Sequence, residues 1–192
     1  FPAKMTRLID RILQRPGLTV RPFDMRDFWS DARTARQLYN ACWSRNWGFI
    51  PMDDEDFRHA AKDMKTMVDP DFLLLAELDG KPIGFALTIP DFNEALQPLR
   101  GKLLPLGWLK FWRAKGRISG ARTLLMGVLP EYRQMGIDLA LVYRTMQAGF
   151  ARGIHSGECS WVLADNTPMN RILASYGAER YKTYRVYEMA VA

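Results

Sequence analysis

Val128-Leu-Pro-Glu-Tyr-Arg133-Gln134-Met135-Gly136-Ile137-Asp138 joins two segments of different periodicity. Before it, Arg122-Thr-Leu-Leu-Met126-Gly127-Val128 reads as a strand. After it, Leu139, Ala140, Leu141, Tyr143, Met146 and Phe150 recur at helical steps and predict a helix from Ile137 to about Arg152. A strand that enters a helix through a short loop leaves the first helical N–H groups unpaired at the positive end of a dipole. That arrangement suits a phosphate or pyrophosphate. Gly136 permits close approach of backbone to a ligand, and Arg133 offers a fork of donors.

Upstream, Phe72 to Leu78 and Lys81 to Ile89 flank Asp79-Gly80, a strong short-range signal for a hairpin. Leu18 to Phe23 is a shorter strand candidate. Two helices are expected between them. One runs from about Asp27 to Trp43, with Phe28, Ala32, Ala35, Leu38, Tyr39 and Cys42 at helical spacing. The other is opened by Asp53-Asp54-Glu55-Asp56, where a helix N-terminus favours negative charge, and Asp69-Pro70 ends it. Downstream, Glu158 to Leu163 is a strand, Pro168 to Tyr176 a short helix stopped by Gly177, and Tyr181 to Val191 a last strand. This order predicts an α/β chain (an α+β mixed sheet) with helices on both faces. Residues 1–17 read as a lead-in helix stopped by Pro16-Gly17, and 18–192 as one domain.

The 192 residues carry 27 Lys plus Arg against 21 Asp plus Glu, a net charge of 27 − 21 = +6. With 48% apolar and 12% aromatic residues, a disordered chain is excluded. No apolar run reaches the roughly 20 residues of a spanning helix. Two cysteines, Cys42 and Cys159, make no disulfide framework, and no metal-ligand cluster is recognisable, so no metal is expected. Nothing in residues 1–17 reads as a signal peptide, and a cytoplasmic setting is the expectation. The charge is local: Arg100, Lys102, Lys110, Arg113, Lys115, Arg117 and Arg122 fall between Leu99 and Arg122 with no acid among them.

The chain from about Leu18 to Val191 resembles the GNAT superfamily of N-acetyltransferases, and in particular a bacterial branch of it with some longer members. Val128 and Pro130 at the strand end, then Arg133 and Gly136, match that superfamily's acyl-coenzyme A signature. Asp165-Asn166 to Asn170, followed by Tyr176-Gly177, is similar to its second cofactor segment. The resemblance implies a GNAT-like acyl-CoA N-acyltransferase fold with acetyl-CoA or a longer acyl-CoA as co-substrate. The backbone of Met126, Gly127 and Val128 would pair with the pantetheine arm, with Gly127 leaving room for it. Amides from Arg133 through Gln134, Met135, Gly136 and Ile137 to Asp138 would hold the pyrophosphate. Asn166 or Asn170 would face the arm from the other side. The implied reaction is acyl transfer from a thioester to an amine, with a backbone N–H near Val128 polarising the carbonyl.

Three positions depart from the pattern. Asp138 puts a carboxylate where the superfamily usually has Gly or Ala. Leu173 stands where its Tyr acid often lies, with Tyr176 three residues on. The strand Thr123 to Val128 carries no acid. Asp165 is the candidate base, read also as a helix N-cap, and Tyr176 the candidate acid, read also as core. Glu77 is expected to face solvent, and His59 and His155 lie away from the site. Trp43, Trp47 and Phe49, in the turn between the two helices, are candidates for the acceptor wall or for a packed corner.

The basic stretch lies in an insertion of about residues 91–121, between the second hairpin strand and the one that follows. Leu103, Leu104, Leu106, Trp108, Leu109, Phe111 and Trp112 interleave with the cations, and Pro105 and Gly107 break it into two pieces. Such a segment suits a headgroup–acyl boundary, a lid over a greasy acceptor channel, or a homodimer face. Nucleic-acid binding has no motif to support it. The expected function is acyl-CoA-dependent N-acylation of a small-molecule or lipid-like, bulky amine, peripheral to a membrane through Leu103 to Trp112. The alternative is a non-catalytic docking module of the same fold within a longer protein.

Overall fold

The computed structural model of the chain describes residues 3–46, 48–102, 104–159 and 161–190. The chain divides into two compact units between residues 160 and 161. The first holds five strands, β1 (Leu18–Pro22), β2 (Leu73–Leu78), β3 (Lys81–Pro90), β4 (Gly120–Val128) and β5 (Ser156–Cys159). They lie side by side in that order. Every neighbouring pair is antiparallel except β4–β5, which is parallel. The helices of this unit are α1 (Ala3–Leu13), α2 (Phe28–Trp43), α3 (Asp54–Met67), α4 (Phe92–Leu96), α5 (Gly107–Lys115) and α6 (Ile137–Ala151).

Local chemistry accounts for the boundaries. Asp79 and Gly80 both adopt positive φ, 50° and 76°, the geometry that a two-residue hairpin turn needs to match strand twist. The Asp53 carboxylate accepts from the N–H groups of Glu55 and Asp56 and caps α3. β2 reads as a continuous apolar run because both faces are covered. Leu74 and Ala76 pack with Ile12, Ile83, Ile137, Ala140 and Leu141 beneath α1 and α6. Leu73 and Leu75 pack with Phe23, Phe28, Leu38 and Phe85 beneath α2 and α3. The lead-in helix α1 is part of this body: Ile9 and Ile12 are buried.

Where β1, β2 and α2 meet, Arg21 closes a charged cluster. Its guanidinium bonds both Asp31 oxygens, at 2.6 and 2.9 Å, and Glu77 at 2.7 Å, while the Asp24 N–H donates to Asp31 at 2.7 Å. Glu77 is thus paired with a cation and does not point freely into solvent.

The second unit contains α7 (Thr167–Ser175), closed by Gly177 at φ 80°. Two sequence expectations are corrected. The strand expected over Glu158–Leu163 is β5, displaced to Ser156–Cys159. The strand expected over Tyr181–Val191 does not form among the described residues: 181–190 are exposed and belong to no strand, and Val191 lies outside the described residues. The reason lies in the pattern. One face of such a strand would carry Tyr181, Thr183, Arg185, Tyr187 and Met189, and the other Lys182, Tyr184, Val186 and Glu188. Both faces mix charge with apolar groups, so nothing fixes a register.

Candidate functional site

Among the described residues the parallel ladder between β4 and β5 runs from Gly120↔Ser156 to Thr123↔Cys159. Beyond it, β4 continues to Val128 against β3 alone. The edge of Leu124–Val128 that faces away from β3 therefore has no strand partner among the described residues. A bulge follows Thr123 on β4. β3 pairs Leu87 with Leu125 and Thr88 with Thr123, so Leu124 is the extra residue. Bulges re-aim backbone groups and are frequent beside active sites. This one is pinned by a 2.9 Å hydroxyl–hydroxyl bond between Thr88, which is buried, and Thr123. Arg122 and Glu158 sit opposite each other on β4 and β5 and are paired at 2.7 Å. Sequence reasoning passed over Leu124, Thr123 and Glu158. The only available signal was opposite charges on two strands destined to be neighbours.

At its far end β4 runs through a 3₁₀ segment, Pro130–Met135, into α6. Gly136 adopts φ 74° in the left-handed region, which turns the chain into the helix. The contact above it is also close, since an added Cβ would lie 2.5 Å from Ile12 Cδ1. α6 has no side-chain cap on Gly136, and Asp138 places a half-buried carboxylate in its first turn. Burial pushes its pKa above the ordinary carboxylate value, and the nearby main-chain N–H groups offset this only in part.

Two of the expected positions are engaged by the protein itself. The exposed Arg133 guanidinium is engaged by main chain: Nε donates to the Val128 carbonyl at 3.1 Å and a terminal nitrogen to the Cys42 carbonyl at 3.3 Å. Arg133 thus ties the end of α2 to the end of β4. The room over Gly127 is filled by protein as well, because a Cβ there would meet the Trp43 ring at 2.6 Å and Cys42 Sγ at 3.0 Å. Trp43 stacks on Tyr39 at 5.1 Å and leans on Phe85 at 5.8 Å, and Phe49 packs on Tyr39 at 5.5 Å. Trp47 lies outside the described residues. Burial pushes the Cys42 thiol up to about 11.

The second segment is ordered by its own contacts. The N-cap of α7 is Asn166 and not Asp165: its side chain accepts from Met169 N–H at 3.3 Å. Asn170 Nδ2 donates to the carbonyls of Leu163 at 3.0 Å and Asn166 at 2.9 Å. Asp165 is exposed in the turn before α7, and Tyr176, half-buried, follows the helix's last residue. His59 and His155 are exposed, on α3 and in the turn after α6.

The model of the acetyltransferase (GNAT) family matches residues 32–178. The chain is 37% identical to protein YghO of Escherichia coli over 199 residues, covering all of this chain and 50% of that protein. It is 36% identical to a bacterial ceramide synthase of Caulobacter vibrioides, covering 91% of this chain and 47% of that protein. The chain therefore spans about half the length of the curated relatives it matches. Among solved structures, the aminoglycoside N-acetyltransferase AAC(6')-Iy, bound to a coenzyme A bisubstrate analogue, superposes with a TM-score of 0.59. That match covers 91% of this chain and 99% of the other at 17% identity, a likeness of fold.

Proposed function

The chain belongs to the acetyltransferase (GNAT) family, and from that premise we propose that it transfers an acyl group from an acyl-coenzyme A to an amine, with a lipid-like acceptor. The observation that carries the reading is the unpaired edge of β4 from Leu124 to Val128, bulged at one end and feeding the Gly136 turn at the other.

In this reading the pantetheine arm, itself an extended diamide, adds to the β4 edge as a short strand. The pyrophosphate lies at the start of α6, on amides from Gly136 onward. The thioester carbonyl is polarised by backbone N–H at the strand, near Val128 in the reading from sequence or at the Leu124 bulge. The neutral amine attacks that carbonyl, the tetrahedral oxyanion collapses, and the thiolate leaves with a proton. Asp165 is proposed as the base for the ammonium and Tyr176 as the acid for the thiolate. Trp43, Trp47 and Phe49 are proposed along the acceptor side. Likeness to a relative named as a ceramide synthase favours a lipid amine over a polar sugar amine.

Calorimetric titration of the intact protein with acetyl-CoA and longer acyl-CoA tests the donor. Saturable binding is expected, and no heat with any of them from folded protein sinks the reading. Turnover with a long-chain amine against an aminoglycoside amine tests the acceptor, and preference for the sugar would overturn the lipid assignment. A specific observation favours the docking-module alternative: Asp138 puts a carboxylate in the first turn of α6, and Arg133 is engaged with carbonyls. Donor binding without turnover of any amine is its signature.

A further inference from the structure

The segment between β3 and β4 is built as two short helices with an unpartnered outer face. α5 packs Phe111 against Phe92 of α4, with ring centroids 6.4 Å apart. Its outer side is apolar: Trp108, Leu109 and Trp112 are 53%, 45% and 68% exposed, and Leu104 and Leu106 just before it are 83% and 60% exposed. On a helix these three α5 side chains span about 100° of the circumference. Lys110, Arg113 and Arg117 form the adjoining side and, with Glu94, line an open groove. The Glu94 carboxylate is engaged by the Ser119 N–H at 2.9 Å and its hydroxyl at 3.3 Å. Arg100, Lys102 and Lys115 are exposed as well. Arg122, the seventh cation of the stretch, belongs to the sheet and pairs with Glu158.

We propose that this face docks on an anionic phospholipid bilayer, with α5 lying in the plane of the interface. Six exposed cations with no acid between Leu99 and Gly120 complement an anionic surface. The outward Trp and Leu side chains supply the apolar face that enters the headgroup boundary. α5, nine residues and about 13 Å long, is too short to cross. None of the described helices is long and apolar enough to do so. A second copy of the chain is a poor occupant, because a two-fold contact through this face sets cations against cations. The inference stands apart from acyl transfer, and its test reads no turnover.

The intact protein is sedimented with phosphatidylcholine vesicles with and without phosphatidylglycerol, across a salt series. Binding is expected only with phosphatidylglycerol, and it should weaken as salt rises. The double change Lys110→Glu with Arg113→Glu should cut binding by at least about 25-fold, from roughly fivefold per cation. Leu109→Ala with Trp112→Ala should cut it by about tenfold or more. Both pairs lie on the outer surface, and circular dichroism checks that each folds. No pelleting with phosphatidylglycerol overturns the proposal. So does pelleting that depends on the cations but not on Leu109 and Trp112, the mark of bare attraction to any polyanion. A dimer in sedimentation velocity that the apolar double variant dissolves would also overturn it, in favour of a second copy.

Discussion

Asp138 carries the sharpest consequence of a single side chain. Its carboxylate sits in the first turn of α6, and burial raises its pKa. The ionised acid therefore opposes both folding and an incoming pyrophosphate. That opposition is complete above the raised value and fades as pH falls through the ordinary carboxylate range. Asp138→Asn is expected to tighten coenzyme A binding by roughly fivefold near neutrality, with the ratio to wild type shrinking on acidification. Titration calorimetry across pH reads it, and an unchanged ratio would contradict it. Cys42, with its thiol held up to about 11, should alkylate far more slowly than a free thiol near neutral pH, as mass spectrometry of timed iodoacetamide reactions would show. Legibility at this scale was partial. Gly136 and Asp138 could be picked from their spacing, but the Arg133 fork could not be assigned. Whether a guanidinium faces a ligand or a carbonyl depends on where Cys42 lies, 91 residues earlier in the chain.

The elements were largely readable because their caps and turns are local. Asp53 with its acidic turn, Asp79-Gly80, Gly136 and the apolar spacing of α2 and α6 each act within a few residues. The Leu124 bulge and the early end of the β4–β5 ladder were not readable, since both depend on register between strands. The expected last strand failed because alternation alone supplies no partner. One non-local contact between elements can be tested directly. Arg21 joins β1 to Asp31 on α2 and Glu77 on β2, and holds the Asp31 carboxyl well below the usual carboxylate range. Asp31→Ala leaves Arg21 with one partner fewer and the Asp24 N–H without its acceptor. A loss of about 2–3 kcal/mol in urea unfolding is expected. Because the folded-state value is depressed, this contribution is present above the ordinary carboxylate range and is lost as pH falls through it. The wild-type advantage should therefore vanish in acid.

For the molecule as a whole, the +6 charge does not describe the body, whose remaining residues nearly balance. It describes the appendage between β3 and β4. Its two roots are close: β3 and β4 pair up to Pro90↔Ala121, and the Asp91 N–H donates to the Gly120 carbonyl at 2.8 Å. Replacing residues 93–118 by a short Gly-containing turn should therefore keep the fold. Melting temperature and donor binding should stay near wild type while vesicle binding is lost. A collapsed far-ultraviolet spectrum would show instead that α4 and α5 hold the sheet together.

Ile12 rests on Gly136, so α1 and the turn at the start of α6 share one packing contact. An opening of α1 would remove the lid from that turn, and the two should unlock as a single cooperative unit. In native-state hydrogen exchange, the amides of α1 and of Ile137 to Ala140 would then exchange with a common free energy, which Ile12→Ala should lower for both together. Any force or partner acting on α1 would be felt at the turn that opens α6 without touching it.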